Sequence, residues 1–498
     1  MRNLMCVTVL ALMAGVSLAG DGLRIVAWNI TNYTGGNASH VQNVAYGEFN
    51  GVSLDPDVFL LQEFSGQAAL NSFVSHLNSA PGSPGDWAAG QVFANSNINT
   101  ALCYRTSKLE LLDSVLVATG STSSNPRNIV RYDLRLAGYA GEAATISMYP
   151  THMKAGSSST DQARRLSEAQ KITANVATLP AQRHYVLGGD FNVQSSSQSM
   201  WVHLMGSPYN TGPFRDPIRT PGNWNNSFTF RMIHTQDPAT QMDDRHDNVV
   251  VSPSFGDGVG LEYVGEFDTP WDLSTFADPD HSYRCYGNDG SSFDFPMDTS
   301  GNAAVGDSIA QSIVALCSGL GHAPVYLDAS VPAVVTVSLP ALDFGEVELG
   351  QTPSLDLMIG SGGDTALWGA LIEDTSYSFL DDPGLIEPAG SFDDAAGGGL
   401  NTHTITLTDT DSLGAVGGVL FVTTNDASAP IVQIPYSANV VEAGCPADLN
   451  GDGVVDNGDI GAFIALFLAQ DLAADFTGDG IVDNGDIGAF IVEFLAGC

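Results

Sequence analysis

Tyr185-Val186-Leu187-Gly188-Gly189-Asp190-Phe191-Asn192 reads as a buried strand that runs into two glycines and then releases an acid and an amide at its end. Side chains at strand ends leave the hydrogen-bonded ladder and collect into sites, so this stretch indicates both the class of fold and where to look on it. Working outward, the same arrangement recurs. Asn29 follows the run Arg24–Trp28, Glu63 follows Val58–Gln62, and His152 closes the segment after Ala143–Tyr149. Asp247 precedes Asn248–Ser252, and His322 precedes Pro324–Asp328. With a clear helical stretch over Thr160–Thr178, strands alternate with helices and hairpins through 21–330, which predicts an α/β or α+β class. Taken singly these residues say little: an Asp after two glycines is often a turn residue, and a lone His beside a strand is usually structural.

The charge excludes one way of binding. Seventeen Lys and Arg against 56 Asp and Glu give a net charge of −39 over 498 residues, so no basic groove can hold nucleic acid by counterion release. Phosphate chemistry on this chain would need a metal or local charges. At 44% apolar residues the chain is not disordered, and its length calls for several domains. Residues 1–20 predict an export signal, with Arg2, an apolar run Leu4–Val16 and the small-x-small pattern Ser17-Leu18-Ala19, and hence a secreted or periplasmic protein. No later apolar run approaches the roughly 18 residues that span a bilayer. Of six cysteines, Cys6 leaves with the signal. Cys445 and Cys498 are expected to pair, as are Cys285 and Cys317, leaving Cys103 as a buried thiol in an apolar strand.

Trp28-Asn29, the run 56–63 ending in Gln62-Glu63, Thr151-His152, Leu187–Asn192 and Arg245-His246-Asp247 leading into 248–252 occur in the order found in the endonuclease/exonuclease/phosphatase superfamily, which 21–330 resembles. The resemblance implies a four-layered α/β sandwich and a Mg²⁺- or Mn²⁺-dependent hydrolase that attacks phosphodiesters in line with water. It implies that Asn29 and Glu63 supply oxygen ligands to the metal. Asp247 would orient His322 and raise its basicity for activating water, and Asp190 would position that water or protonate the leaving oxygen. Asn192 and His152 would donate to phosphoryl oxygens. Arg127 reads as a surface salt bridge ahead of a phosphate contact. The family carries an Asp before its last His, where this chain has Gly321, so restoring a carboxylate there is expected to tighten metal binding. Asp280-His281 is a weaker match than His322 because no apolar strand follows it.

The remaining chain divides into two. Short alternating runs over 331–442, such as 402–408 and 418–424, predict an all-β sandwich whose opening 342–350 loosely resembles immunoglobulin-like repeats. Over 443–498 a unit starting at Ala447 returns at Ala474, placing Asp448, Asn450, Asp452, Asp456 and Asp459, then Asp475, Thr477, Asp479, Asp483 and Asp486, at the spacing of a Ca²⁺ loop. Gly453 and Gly480 follow the third ligand of each loop, and short apolar helices follow both. The duplication resembles type I dockerin domains, implying a cohesin-like or cell-surface partner. Three functions fit: an extracellular nuclease, a phospholipid or sphingolipid phosphodiesterase, and a catalytically impaired binding protein. The loop 220–235, with Trp224, Phe228, Phe230 and Arg231, suits either substrate.

Overall fold

A computed structural model describes residues 21–497; the expected signal segment and Cys498 lie outside them. Twelve strands come first: β1 Leu23–Tyr33, β2 Val58–Phe64, β3 Trp87–Ala89, β4 Asn99–Arg105, β5 Leu109–Ala118, β6 Ile129–Leu136, β7 Thr145–His152, β8 His184–Asp190, β9 Asp247–Val251, β10 Glu262–Tyr263, β11 Arg284–Cys285 and β12 Val325–Ser330. They build one sheet in the order β10-β12-β1-β2-β4-β3, with β11 also on β12, and a second in the order β5-β6-β7-β8-β9.

Period-2 alternation explains how these sheets stack. Ile25 and Ala27 of β1 and Leu60 of β2 point inward, meeting Ile146, Met148, Val186 and Val249 of the other sheet in one core. Their neighbours Val26, Trp28, Phe59 and Leu61 point outward under α1 (Ala38–Tyr46), α2 (Gln67–Asn78) and a later helix, Gly306–Leu316. On the second sheet Tyr149, Leu187 and Val250 turn out to meet α3 (Ser159–Val176) and α4 (Ser199–Met205). The result is helix, sheet, sheet, helix, four layers with strands buried on both faces. α3 starts at a reciprocal cap between Ser158 and Asp161 and buries Arg165, Glu168, Ala169 and Ile172 at helical spacing. Leu60 is wholly buried between the sheets, where truncation to Ala would cost on the order of 2–5 kcal/mol.

Residues 335–441 form two further sheets around Leu357, Ile359, Ile405, Leu420 and Ile434. Their short helix Thr365–Trp368 buries Trp368 against the first domain, where its carbonyl accepts from Gly22 N at 2.8 Å. Two C-terminal helices, Asn457–Ala469 and Asn484–Ala496, each begin at a cap made by Asp456 or Asp483 with Asp459 or Asp486. Phe463 and Phe490 stack between them at 4.2 Å. In the preceding loops both carboxylate oxygens of Asp459 accept backbone amides, from Asn450 and Asp456, and Asp486 does the same for Thr477 and Asp483. Among the described residues no helix is long and apolar enough to cross a membrane.

The cysteines need one correction. Cys285 and Cys317 are not paired; both are buried free thiols, donating to the carbonyls of Ile233 and His322 respectively. Each fills an apolar place with a weak donor, so neither needs a partner. Cys103 is also free and buried, and Cys445 is disulfide-bonded.

Candidate active site

The strand ends converge. β1 and β2 run parallel, as do β7 and β8, so the residues at their C-terminal ends share one edge: Asn29 pairs with Gln62, and His152 with Asp190. β9 runs antiparallel to β8 and sets Asp247 opposite Asp190 at its start. His322 is carried in on the segment before β12, its amide donating to Asn29 O.

Asp190 is the hub. Its Oδ2 accepts from Asn29 Nδ2 at 3.1 Å and lies 3.3 Å from His152 Nε2 and 3.9 Å from His322 Nδ1, while Oδ1 accepts from Asn192 N at 2.8 Å. His152 Nε2 also lies 3.9 Å from Glu63 Oε1, whose other oxygen accepts from Asn32 N. His322 Nδ1 contacts Asp247 Oδ2 at 2.8 Å, and the same oxygen accepts from Thr235 Oγ1 at 2.7 Å. All seven residues expected from the sequence, Asn29, Glu63, His152, Asp190, Asn192, Asp247 and His322, are therefore brought together and are buried. His281 is elsewhere, stacked on Trp271 and beside Tyr263.

Backbone conformation helps to assemble them. Glu63 and Asn192 have φ of +66° and +49°, which side-chain-bearing residues adopt at a cost of about 1–3 kcal/mol. Gly189, at φ 138°, sits where a Cβ would fall 2.2 Å from Thr151 O and 2.4 Å from Gln62 Nε2. Only glycine lets β8 pass this close and still deliver Asp190.

Burial and charge set the protonation states. Burial raises Asp190 and Glu63 above the usual carboxylate range, with Asp247 adding to the shift of Asp190. Burial, together with Arg127 and His322, drives His152 well below its usual value. Burial alone would lower His322 too, but Asp247, Asp190 and Glu63 push it up to about 9. These three carboxylates favour the imidazolium form of His322.

Several residues of the site were missed. Arg127 forms no surface salt bridge: its Nη1 donates to His152 O and Met153 O, which leaves the rest of the guanidinium within electrostatic reach of Asp190 and Glu63. Behind it Glu168 accepts from Thr151 Oγ1, and burial holds its carboxyl up to about 8. His246 lies 5.9 Å, ring to ring, from His322. Only its adjacency to Asp247 could have signalled it. Thr235 comes from an irregular loop and had no sequence signal.

Gly321 also needs correction. A Cβ there would lie 2.4 Å from Thr31 Oγ1 and 2.8 Å from Cys317 Cα, so β1 and the end of the preceding helix leave no room for the family's Asp. Among the described residues no group of three or more His, Cys, Asp and Glu is placed to hold a metal ion. Asn29 Oδ1, however, is buried and has no hydrogen-bond partner among the described residues, and Asn29 pairs in the sheet with Gln62, the neighbour of Glu63. Two hard oxygens of this kind fit Mg²⁺, which keeps most of its waters and takes only one or two carboxylates from protein. In the loop 220–235, Trp224 is buried, and Phe228 alone among the residues named above is strongly exposed, at 60%.

Residues 37–266 match the Endonuclease/Exonuclease/phosphatase family, whose members hydrolyse phosphodiester or phosphate ester bonds. The matched segment is just under half of the chain and stops short of Asn29 and His322. No curated protein matches the sequence. Similar solved structures include humanized D. rerio TDP2 with 14 mutations, 14% identical over 62% of this chain and 99% of that one, with a TM-score of 0.35. The human Nocturnin catalytic domain with bound sulfate is 14% identical over 62% and 94%, with a TM-score of 0.34. An endonuclease/exonuclease/phosphatase from Bacteroides vulgatus is 12% identical over 62% and 98%, with a TM-score of 0.37.

Proposed function

We propose that this domain hydrolyses phosphodiesters with the help of a divalent cation, and that the protein is exported and acts on extracellular nucleic acid. The observation that carries the reading is the convergence of Asn29, Glu63, His152, Asp190 and His322 on one point, with Asp190 at the centre. Asn29 Oδ1 and Glu63 would hold Mg²⁺ or Mn²⁺, which supplies Lewis-acid neutralisation of phosphoryl charge. Around it, each side chain has a task its environment favours. Asp190, raised by burial, accepts the proton of the attacking water. The resemblance assigns that role to His322, whose carboxylate neighbours push its imidazole up to about 9 and so favour its protonated form. His322 instead contributes positive charge where oxyanions develop, anchored by Asp247 and Thr235. His152 stays neutral and donates from Nε2, Asn192 adds its amide, and Arg127 offers its free guanidinium edge to a phosphoryl oxygen.

A lipid phosphodiester is the second reading, favoured by Phe228 and Phe295, which are exposed at 60% and 68%. The duplicated acidic loops of 443–498 belong to the same proposal as Ca²⁺-binding, dockerin-like units that dock the enzyme on a cohesin-like or cell-surface partner. The β-sandwich is an immunoglobulin-like spacer between the two.

Hydrolysis of bis(p-nitrophenyl) phosphate by the full chain, with and without Mg²⁺, tests the chemistry. Glu63→Ala, Asp190→Ala and His322→Ala are each expected to lower the rate at least about a hundredfold. A metal-independent rate, or three fully active variants, would discard the proposal. DNA, RNA and sphingomyelin turned over side by side choose the substrate, and no turnover of any of them leaves a binding protein.

A further inference from the structure

One wall of the site is acidic and uncompensated. Asp237 lies within electrostatic reach of His322, and Asp243 within reach of Asp237, Asp244 and Asp294. Asn226 Nδ2 lies 3.5 Å from both Asp243 and Asp294, Gln241 donates to Asp294, and Thr240 to Asp237. No Lys or Arg among the described residues forms a salt bridge with any of the four. A centre meant to receive an anionic phosphodiester is thus flanked by carboxylates that repel it.

A second observation lies within that wall. His246 is 7% exposed, and neither ring nitrogen has a hydrogen-bond partner. An imidazole so buried with both nitrogens unsatisfied costs free energy, which a ligand would recover. Its Nε2 faces Asp244 Oδ2 at 3.7 Å, too far for a hydrogen bond. For an ion about 2.1 Å from each atom, that gap corresponds to an angle of about 120° at the ion, within the range of coordination geometry. Asp244 is already braced: its other oxygen accepts from Asn225 Nδ2 at 2.7 Å, the outer support that ligating carboxylates have.

We propose that Asp244 and His246 hold a divalent transition-metal ion, separate from any ion on Asn29 and Glu63, with water or substrate oxygens completing its shell. A nitrogen donor beside a carboxylate favours zinc-like ions over Mg²⁺. Such an ion neutralises the wall and satisfies His246. This makes the acidic surroundings compatible with an anionic substrate.

Cobalt(II) is the probe. The full chain, stripped with chelator and supplied with millimolar Mg²⁺ and Ca²⁺ to fill oxygen-only sites, is titrated with Co²⁺ while proton NMR follows exchangeable imidazole N–H signals shifted by the paramagnetic ion. One such signal is expected in the parent protein. It should vanish in His246→Gln and persist in His152→Gln, and Asp244→Asn should weaken Co²⁺ binding tenfold or more. Absence of the signal in the parent, its survival in His246→Gln, or its loss in His152→Gln alone overturns the proposal. If His246→Gln does not fold, Asp244→Asn decides, and unchanged Co²⁺ affinity overturns it. The readout does not depend on turnover, so it stands or fails separately from the phosphodiesterase reading.

Discussion

Strands β1, β2 and β12 carry buried charge at both ends, and the two ends are built differently. At the base, Arg24 forms a two-pronged contact with Asp328 at 2.6 and 2.9 Å, and Asp57 Oδ2 accepts from Arg24 N and Lys108 Nζ. Lys108 also donates to Gly22 O and lies over Trp368, whose domain closes this end. At the opposite end Glu63, Asp190 and Asp247 face two histidines and one arginine, with Asn29 Oδ1 and Asp247 Oδ1 lacking any partner. Same strands, same burial: the base spends its charges on each other, whereas the site keeps its own available. Burial shifts groups at both ends, Asp57 as well as Asp190; what marks the functional end is buried oxygens left without partners among the described residues.

The contrast is sharpest in stability. Asp328→Ala leaves Arg24 buried without its counter-ion and is expected to cost about 3–5 kcal/mol in urea unfolding. Asp190→Asn removes a carboxylate that its own surroundings disfavour, so it should lose activity with stability unchanged or raised. Equal destabilisation by the two would erase the distinction between the ends.

Gly321→Ala comes next. Its Cβ must push Thr31 or the backbone at Cys317 aside, and an overpacked core change of this kind costs about 1–3 kcal/mol. A thermal midpoint equal to the parent's would mean that β1 yields more easily than the packing indicates.

The last effect is pH-dependent and concerns Glu168. A carboxyl that titrates near 4.3 unfolded and at about 8 folded binds more protons when folded, so folding stability falls as pH rises between those values. The slope is at most about 1.4 kcal/mol per pH unit. Glu168→Gln keeps the shape and removes the slope, so the variant should gain on the parent between pH 5 and pH 8 in urea titrations. Parallel curves for the two proteins would count against a buried, protonated Glu168.

Pattern alone placed Asn29, Glu63, His152, Asp190, Asp247 and His322, because strand ends are written in the sequence: an apolar run of alternating faces stops, and a polar residue follows. Parallel pairing then brings those ends to one edge. Thr235 and Glu168 were out of reach for the opposite reason, since each arrives from a loop or helix whose path depends on packing, and for the same reason Arg127 was read first as a surface salt bridge and only second as a phosphate contact. The expected Cys285–Cys317 bridge failed because cysteine counting cannot see that both thiols already sit in apolar places with carbonyl acceptors.

The sequence by itself determined the alternation of strands with helices, through hydrophobic pattern, and the repeat of acidic loops at the C-terminus, through spacing; the four layers were implied by the family resemblance and are seen in which face of each strand is buried. Tertiary structure alone decided the direction in which each imidazole is pushed: carboxylates raise His322, and burial with Arg127 and His322 lowers His152. It alone showed that glycine stands at 321 for want of room beside Thr31. Electrostatics and close contact depend on distances of a few ångströms between residues far apart in the chain, and a linear pattern carries no such distances.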